Sequence, residues 1–379
     1  MGVTNQSRSL AACFATIFFF LTAPSTYAQV NVKRGSTELR VEGYANITTG
    51  TPTSAGEPSL RLDAALRGLL RWSNASGPDI GIRIAVESSP EDRLDVAEAS
   101  ILLFGKGGRF EVGNRQGLPD VLFGYAPNNF NFTGAEFGPA AGPSLDPGGG
   151  LQTAFVGRAL AAQVRELSVL GFAASLSDDR SAKALYVSPK WRGWIAGASY
   201  APNATDPRYA DLAQLGLTHD TYWKENVLHV GGSYSFARTE PNAVGSRDLR
   251  SLNVGATLVL NYDWMIGASA TYDGKAPSFQ GNVNSLTIDR SWGSVFSVNY
   301  NRGPWSAGAF VQRSTRADDP ARAGNDRLIA FEAGLSYRAS TKLRIYSAWY
   351  YFDFNDEGGT IAIDRYRGKL LLIGVRATL

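Results

Sequence analysis

The sequence is poor in the side chains that most enzyme sites need. Its 379 residues include one cysteine, Cys13, and two histidines, His219 and His229. Cys13 lies in a segment that we expect to be removed, so the mature chain offers no disulfide, thiolate nucleophile or cysteine-ligated metal. The two histidines are ten residues apart, and neither has the spacing of a metal site. The sequence therefore predicts a protein that is not an enzyme and that holds no cofactor or metal.

Beyond its N-terminus, the chain also lacks any apolar run of the roughly 20 residues that a transmembrane helix requires. Charged residues make up 19% of the chain and apolar residues 44%, a balance that excludes bulk disorder. The formal net charge of +3 is too small to predict nucleic-acid binding. These absences exclude a helical membrane protein and a disordered chain, and they favour a folded protein without transmembrane helices.

Residues 1–28 have the three parts of a secretory signal. Arg8 supplies the positive charge, Leu10–Leu21 is the apolar stretch, and Thr26 and Ala28 are the small residues that predict cleavage before Gln29. The alternatives are an uncleaved anchor helix and a lipoprotein box ending at Cys13. The apolar stretch is too short for an anchor, and the lipoprotein box would have to follow that stretch rather than open it. We therefore expect residues 29–379 to form the mature domain.

The mature chain is a series of segments in which apolar and polar residues alternate. Leu39–Ile47, Leu60–Trp72 and Ile80–Glu87 alternate in this way, which places apolar side chains on one face and charges on the other. Soluble strands average 5–6 residues, whereas these segments reach the length that a tilted strand needs to cross a bilayer. An arginine facing lipid at the midplane costs about 2–4 kcal/mol. The charged face is therefore expected to line a lumen.

Sixteen such segments are predicted, and their connections alternate in length. Connections after even-numbered segments are short, and those after odd-numbered segments are mostly longer and polar. This parity is typical of an outer-membrane barrel, which has short periplasmic turns and long external loops. An even count also brings the first and last strands together, so that no sheet edge stays open. The predicted fold class is all-β, a transmembrane antiparallel β-barrel of about 16 strands.

Tryptophan provides a separate indication of the same fold. Six of the eight tryptophans fall at the short-turn ends of predicted strands. Such clustering at one level predicts an aromatic girdle at a membrane interface. The six are Trp72, Trp191, Trp194, Trp223, Trp264 and Trp305.

One stretch, residues 115–182, interrupts the strand pattern. It is rich in Gly, Pro and Asn, and it shows little strand periodicity before about Leu151. A structureless loop of this length inside a compact domain needs a function. In a large barrel such a loop can fold inward and narrow the lumen, so we predict that residues 115–182 form a constriction loop.

Three segments resemble the Gram-negative general porins. Tyr186–Pro202 looks like the strand–turn–strand that follows the constriction loop in that family, and Glu98–Arg115 resembles the hairpin that leads into it. Glu136-Phe137-Gly138 is similar to the acidic tip of the loop. The resemblance implies a homotrimer, an inward-folded long loop, and passive diffusion of small hydrophilic solutes and ions. It also implies a location in the cell outer membrane of a Gram-negative bacterium, reached through the periplasm.

The chain departs from the family's pattern at two places. Residues Leu151–Leu176 form an insertion before the returning strand, and the segment Ala162–Leu167 within it has the pattern of a short helix or an extra hairpin. The chain ends in Leu379 where the family usually ends in Phe. Whether the insertion plugs the pore, lines it or covers a trimer contact is left open by the sequence.

The candidate functional residues form two groups of opposite charge. Alternation puts several arginines on the lumen face of neighbouring strands, and the loop offers acids to oppose them. Such a pair of charged walls would orient dipolar solutes and tune ion selectivity, over a Debye length of about 8 Å. The alternative is that these are solvated lumen charges without a special effect. The predicted basic wall is Arg40, Arg61, Arg67, Arg83 and Arg115, and the predicted acidic loop group is Asp120, Glu136 and Asp146.

The predicted function is an outer-membrane porin that forms a water-filled channel. A substrate-specific channel for a sugar or an anionic nutrient, built on the same barrel, is the alternative. It would show a row of aromatic residues along the lumen, for which Tyr44, Phe123 and Tyr125 are candidates without forming a continuous row. A barrel enzyme, a structural adhesin and a soluble secreted β-protein are the other readings. The first lacks a Ser–His constellation, and the last would not need an apolar outer face of this length.

Overall fold

The computed structural model describes eleven segments of the chain: residues 29–52, 59–88, 94–122, 180–204, 209–240, 248–273, 276–277, 287–288, 290–317, 326–355 and 365–378. The predicted signal (residues 1–28), the insertion (151–176) and most of the predicted constriction loop (123–179) lie outside these residues. Within the described residues, no helix is long and apolar enough to cross a membrane.

Nearly all of the described chain is β-strand, with one short helix. The helix is α1, Leu118–Leu122. The strands are β1 Gln29–Arg34, β2 Thr37–Pro52, β3 Ser59–Trp72, β4 Asp79–Ser88, β5 Leu94–Gly105, β6 Gly108–Asn114, β7 Ala182–Val187, β8 Trp194–Asn203, β9 Tyr209–Trp223, β10 Asn226–Thr239, β11 Leu249–Leu260, β12 Trp264–Asp273, β13 Ala276–Pro277, β14 Thr287–Ile288, β15 Arg290–Arg302, β16 Trp305–Ala317, β17 Asp326–Arg338, β18 Leu343–Asn355 and β19 Arg365–Thr378.

The strands form a closed antiparallel barrel. Strands β2–β12 and β15–β19 pair in chain order to give a ring of sixteen, and β1 brings the sheet to 17 strands. The ring closes where β19 pairs with β2, from Leu370 opposite Pro52 to Thr378 opposite Tyr44. Closure gives every ring strand a partner on both sides, as a bilayer requires. The predicted fold, with all sixteen alternating segments as strands, is confirmed.

The two faces of the wall have the polarity of a membrane barrel rather than of a soluble protein. On β4, Ile80, Ile82 and Ile84 point outward and are exposed, whereas Arg83 between them points inward. On β17, Leu335 is exposed on the outside while Glu332 is buried on the inside. Period-2 alternation thus places apolar side chains toward lipid and polar side chains toward the lumen.

The predicted aromatic girdle is present. All six tryptophans at the short-turn ends are exposed on the outer surface. Two of them contact a tyrosine on the adjacent strand: Trp264 lies 4.5 Å from Tyr300 and Trp305 lies 4.7 Å from Tyr337, between ring centroids. Such amphipathic rings mark the level of the periplasmic headgroups.

Strand β1 was not predicted from the sequence. It forms a hairpin with β2, from Arg34 opposite Thr37 to Gln29 opposite Glu42. Gly35 makes the tight turn with a φ of 60°, a left-handed conformation that glycine adopts without steric cost. β1 occupies the part of the β2 edge that β19 leaves open, because β19 ends opposite Tyr44.

The strands of the barrel wall are shortest on either side of the predicted constriction loop. Strands β6 and β7 have 7 and 6 residues, whereas the shortest of the other ring strands, such as β4, have 10. β6 starts and β7 ends at the short-turn end of the barrel, so the chain leaves the wall near mid-height after Asn114 and rejoins it at Ala182. This early departure places the first residues of the loop beside the lumen rather than above the barrel.

Candidate pore constriction

Helix α1 is the first part of the predicted constriction loop, and it packs on the inner face of the barrel. Leu118 and Leu122 are buried in a cluster with Leu185 of β7. The backbone nitrogen of Leu118 donates a hydrogen bond to Oε1 of Gln214 on β9, at 2.9 Å. The start of the loop is therefore folded inward and anchored to the wall.

Two glycines create the space for this helix. A Cβ added at Gly197 of β8 would lie 2.7 Å from Cδ1 of Leu118, and one added at Gly216 of β9 would lie 2.6 Å from Cδ1 of Leu122. Only a residue without a side chain allows the helix to approach the wall this closely. Pro119 falls in the first turn of α1, where a missing backbone N–H is tolerated.

Beside the helix, a cleft of about 180 Å³ opens on the inner wall of strands β2–β6. Its lining is dominated by charged side chains from neighbouring strands. Leu69 is the one large apolar side chain among them. The lining residues are Arg40, Glu42, Arg67, Gly68, Leu69, Arg83, Glu98 and Arg115.

Two arginines of the cleft, Arg83 and Arg115, share the carboxylate of Glu111 on β6, whose side chain is only 1% exposed. Nη1 of Arg83 lies 2.9 Å from Oε1 and 3.3 Å from Oε2 of Glu111. The hydroxyl of Ser100 donates to Oε1 at 2.5 Å, and Nε of Arg115 lies 3.4 Å from the same oxygen. Arg115 also pairs with the fully buried Glu98. Several donors thus share one buried carboxylate, which satisfies a charge that would be costly to bury alone.

A second carboxylate holds the far end of the loop. Glu87 of β4 lies 3.2 Å from Nη2 of Arg67 and 2.8 Å from Nη2 of Arg180. Arg180 precedes β7, where the chain returns from the loop. The wall therefore contacts the described residues at both ends of residues 115–182: Gln214 contacts α1 and Glu87 contacts Arg180.

Arg40 differs from the other arginines of the cleft because its side chain is 49% exposed, and it lies 3.9 Å from Glu42. Arg83, in comparison, is 17% exposed. The charged residues of the cleft and their ion-pair partners comprise six guanidinium groups and four carboxylates, which sum to a formal charge of +2. They are Arg40, Arg67, Arg83, Arg109, Arg115 and Arg180, and Glu42, Glu87, Glu98 and Glu111.

The structure places the predicted site residues unevenly. It brings Arg40, Arg67, Arg83 and Arg115 together in one cleft. Arg61 lies on β3 and Asp120 in α1, but their side chains are outside the described part of the chain. The remaining predicted acids, Glu136 and Asp146, lie wholly outside the described residues.

Sequence reasoning did not select Glu98 and Arg180 as site residues. Glu98 could have been found, because it lies on the inward face of β5 next to Ser100 and Leu102 in the same alternation. Arg180 could not, since it lies outside any strand and its partner Glu87 is 93 residues away in the chain. In the described residues, no group of acids and histidines is arranged to hold a metal ion.

The two histidines lie on opposite faces near the periplasmic end. His219 points outward, and its ring lies tilted against that of Trp194, with 4.3 Å between the ring centroids. His229 points inward, and its Nδ1 lies 2.6 Å from Oδ1 of Asp220. Lys190 in the β7–β8 turn donates to the other oxygen of Asp220 at 2.6 Å. This hydrogen bond raises the pKa of the Lys190 ammonium above its ordinary value.

A closed barrel with an apolar outer face, a polar inner face and an aromatic girdle is an outer-membrane channel. The profile of a Gram-negative porin family matches residues 12–358 of the sequence. The chain belongs to the Gram-negative porin family, and its barrel is a channel for passive diffusion across the outer membrane. No curated protein sequence matches the chain significantly.

Solved structures show the same fold at low sequence identity. The OmpF of Salmonella typhi, in complex with daunomycin, superposes with a TM-score of 0.67 at 12% identity, and the match covers 92% of this chain and 100% of that one. An anion-selective porin from Comamonas acidovorans gives 0.60 at 12% identity, with 90% and 100% covered. The trimer form of OmpT from Vibrio cholerae gives 0.62 at 12% identity, with 91% and 100% covered. At these identities the likeness concerns the fold alone.

Proposed function

We propose that the protein is a general porin, which lets small hydrophilic solutes and ions pass without a dedicated substrate site. The observation that carries this proposal is the charged cleft beside the point where α1 folds into the lumen. The cleft is lined by guanidinium and carboxylate groups rather than by a row of aromatic rings. Tyr44, one candidate for such a row, instead lies under the guanidinium of Arg376 at 4.3 Å.

In this proposal the pore is narrowed between a basic wall and the loop. Arg40, Arg61, Arg67, Arg83 and Arg115 form the wall, and Asp120, Glu136 and Asp146 belong to the opposing loop. Arginine suits the wall because it stays charged even when other arginines are close. The constriction loop is residues 115–182, and the inward position of α1 supports this assignment.

The transverse field comes from the charges that the ion pairs leave uncompensated. In the cleft and among its ion-pair partners, six guanidinium groups and four carboxylates leave two positive charges. Three loop acids face them in the proposal. The selectivity of the pore is then weak, because the two sets differ by a single charge. Ions feel the field within a Debye length of about 8 Å at physiological salt.

The same proposal includes the processing and assembly of the chain. Residues 1–28 are a signal peptide that is removed on export, and the mature barrel assembles as a homotrimer with a pore in each subunit. The trimer is supported by the trimer form of the structurally similar OmpT. The barrel performs no bond chemistry and is not an enzyme, in agreement with its family and fold.

Single-channel recording in a planar bilayer tests the proposal. The purified protein should give ohmic current steps grouped in threes, one step for each pore of the trimer. The reversal potential in a KCl gradient should be small, because the uncompensated charges nearly cancel. Insertion without conductance would contradict a general porin and would show that the lumen is sealed. Saturation of the current by one sugar or anion at low concentration would instead identify a substrate-specific channel.

A further inference from the structure

A groove of about 660 Å³ crosses the outer face of the barrel between β8 and β12. Trp194 of β8 and Leu217 of β9 line one end, and Ala268 and Ala270 of β12 line the other. All four side chains are exposed on the outward face of their strands. We call this depression the outer groove. Four strand spacings of about 4.8 Å each separate β8 from β12, so the outer groove is roughly 19 Å long.

Strand register explains why the surface is concave at this place. Ala256 on β11 lies opposite Ala268 on β12, and the next outward residue of β12 is the equally small Ala270. Bulkier residues occupy the next outward positions of these strands in both directions. They are Tyr234, Leu252 and Tyr272 toward the loops, and Leu228, Leu258 and Ile266 toward the short turns. Two ridges of large side chains therefore border the floor of the outer groove.

The outer groove opens at the periplasmic headgroup level, beside an exposed arginine. Trp194 at its end belongs to the aromatic girdle, and its backbone exchanges two hydrogen bonds of 2.9 Å with Trp191. The guanidinium of the exposed Arg192 lies over the ring of Trp191, with 5.2 Å between Cζ and the ring centroid. Lys190, the other cation of this turn, donates instead to Asp220 on the lumen side. Arg192 is therefore the cation of this turn that is available to an anionic headgroup at the mouth of the groove.

The strands that form the outer groove face lipid rather than another subunit. Trp194 and Trp264 are exposed at their short-turn ends, and Tyr200, Tyr234 and Tyr272 are exposed toward the loops. Aromatic rings at both levels mark a surface that meets both interfaces of a bilayer with water. Hydrocarbon chains fill a concave surface in a bilayer, because an empty groove would lose dispersion contacts along its whole lining.

We propose that the outer groove binds one acyl chain of a glycerophospholipid of the periplasmic leaflet, whose phosphodiester lies against Arg192. The groove rises from the girdle to the fifth and seventh residues of β12, Ala268 and Ala270, so a chain that enters beside Trp194 runs toward the bilayer centre. Lipid tails are as apolar as the groove, so the gain comes from dispersion contacts with its floor and ridges. The single charge of a phosphodiester matches the single guanidinium, which can bind two of its oxygens.

The binding test uses the full mature protein in detergent micelles, with palmitoyl-oleoyl phosphatidylglycerol as the probe and native mass spectrometry to count bound lipids. The groove-filling variant combines Ala268→Leu and Ala270→Leu. Its Kd for the first lipid should be about tenfold weaker, because the acyl chain loses on the order of ten carbon–carbon contacts. The matched control is Ala307→Leu, which adds the same side chain at an exposed outward alanine of β16. This control should bind as the unaltered protein does.

The headgroup contact has its own pair of variants. Arg192→Gln should weaken the Kd about fivefold, the effect of one basic residue at an anionic membrane surface. Arg302→Gln removes an exposed arginine from the β15–β16 turn at the same end of the barrel, and it should leave the Kd unchanged. Diacylglycerol, which lacks the phosphate, should bind the unaltered protein as weakly as phosphatidylglycerol binds Arg192→Gln. Lysophosphatidylglycerol, which keeps one chain, should bind nearly as tightly as the two-chain lipid.

Three results would overturn the proposal. They are full binding by the groove-filling variant, an equal loss in either control, and equal binding of diacylglycerol and phosphatidylglycerol to the unaltered protein. Heat-modifiable migration on gels shows whether each variant folds, and leucine at a lipid-facing position is compatible with the barrel. The outer groove lies outside the lumen, so single-channel conductance should be the same in all variants. The lipid site and the porin function can therefore fail independently.

Discussion

Arg83 on β4 and Glu111 on β6 lie on strands that are not adjacent, and Nη1 of Arg83 is 2.9 Å from Oε1 of Glu111. The arginine spans the width of β5 to reach its partner, and Ser100 of that strand donates to the same carboxylate. The ion pair therefore connects three neighbouring strands, β4, β5 and β6, on the inner surface of the barrel. It holds them together at the level where the loop enters the lumen.

Removing Arg83 should change both selectivity and stability. Arg83→Ala takes one positive charge from the wall, so the chloride-to-potassium permeability ratio should fall by a factor of about four. The Coulomb energy at about 5 Å in water, roughly halved by salt screening, changes the permeability of each ion about twofold, in opposite directions. Glu111 is buried and loses one of its donors, so unfolding in denaturant should be about 1–3 kcal/mol easier. Reversal potentials and equilibrium unfolding in lipid vesicles measure the two effects.

Arg40→Ala is the matched control for that substitution. Arg40 also lines the cleft, but 49% of its side chain is exposed. Its removal should shift the permeability ratio in the same direction with little change in the free energy of unfolding, because exposed ion pairs contribute about 0–1 kcal/mol. If Arg83→Ala lowers the free energy of unfolding no more than Arg40→Ala does, the buried ion pair between Arg83 and Glu111 does not stabilise the barrel.

Removing a carboxylate from the wall should change the ion selectivity in the opposite direction, toward anions. Glu98 is fully buried and pairs with Arg115. Glu98→Gln keeps the shape of the side chain but leaves the wall more positive by one, so we expect a shift toward anions in the reversal potential. Glu42→Gln, at a more exposed carboxylate of the same cleft, should produce the same sign. A shift toward cations in both variants would show that these acids do not face the conducting path.

A larger residue at Gly216 should displace helix α1. An added Cβ already meets Leu122 at 2.6 Å, and a leucine side chain would push α1 away from the wall and toward the pore axis. Single-channel conductance of Gly216→Leu should therefore be lower than that of the unaltered protein, with Gly216→Ala in between. Gly107→Leu, in a turn where an added Cβ meets nothing within 4 Å, should leave the conductance unchanged.

Ionic strength should weaken the selectivity. The Debye length falls from about 10 Å at 0.1 M salt to about 3 Å at 1 M, so at high salt a wall charge acts only on ions that pass close to it. The permeability ratio should therefore approach one as KCl rises at a fixed concentration gradient. The Arg83→Ala and Arg40→Ala variants should converge with the unaltered protein at 1 M. A ratio independent of salt would indicate that pore size, and not charge, sets the selectivity.

The barrel could be predicted from the sequence because its signal is repeated many times. A long strand such as Ser59–Trp72 contains several full apolar–polar alternations, and each one excludes helical packing. The alternation also predicts which face each arginine takes, so the positions of Arg67 and Arg83 inside the barrel follow without a structure. Segments as short as β1 and α1 contain too few residues for a period to show.

The pairing of the charges could not be predicted in the same way. Arg83 meets Glu111, 28 residues away, only because the registers of β4, β5 and β6 bring them to one level. A shift of one residue in any of these registers would turn the side chains of that strand to the other face. The sequence predicts which charges share the lumen, whereas their partners depend on strand register, which the turns and the bulge between Ala85 and Val86 determine.

The short strand β1 also limits how the barrel can close during biogenesis. Gln29 lies opposite Glu42, and Thr378 lies opposite Tyr44, so β1 and β19 follow one another along a single edge of β2. A hairpin of β1 and β2 that forms early would act as a stop for the last strand, which could not slide further along β2. The shear of a barrel and its diameter are linked to such offsets. The six residues of β1 would then help to set the diameter of the whole channel.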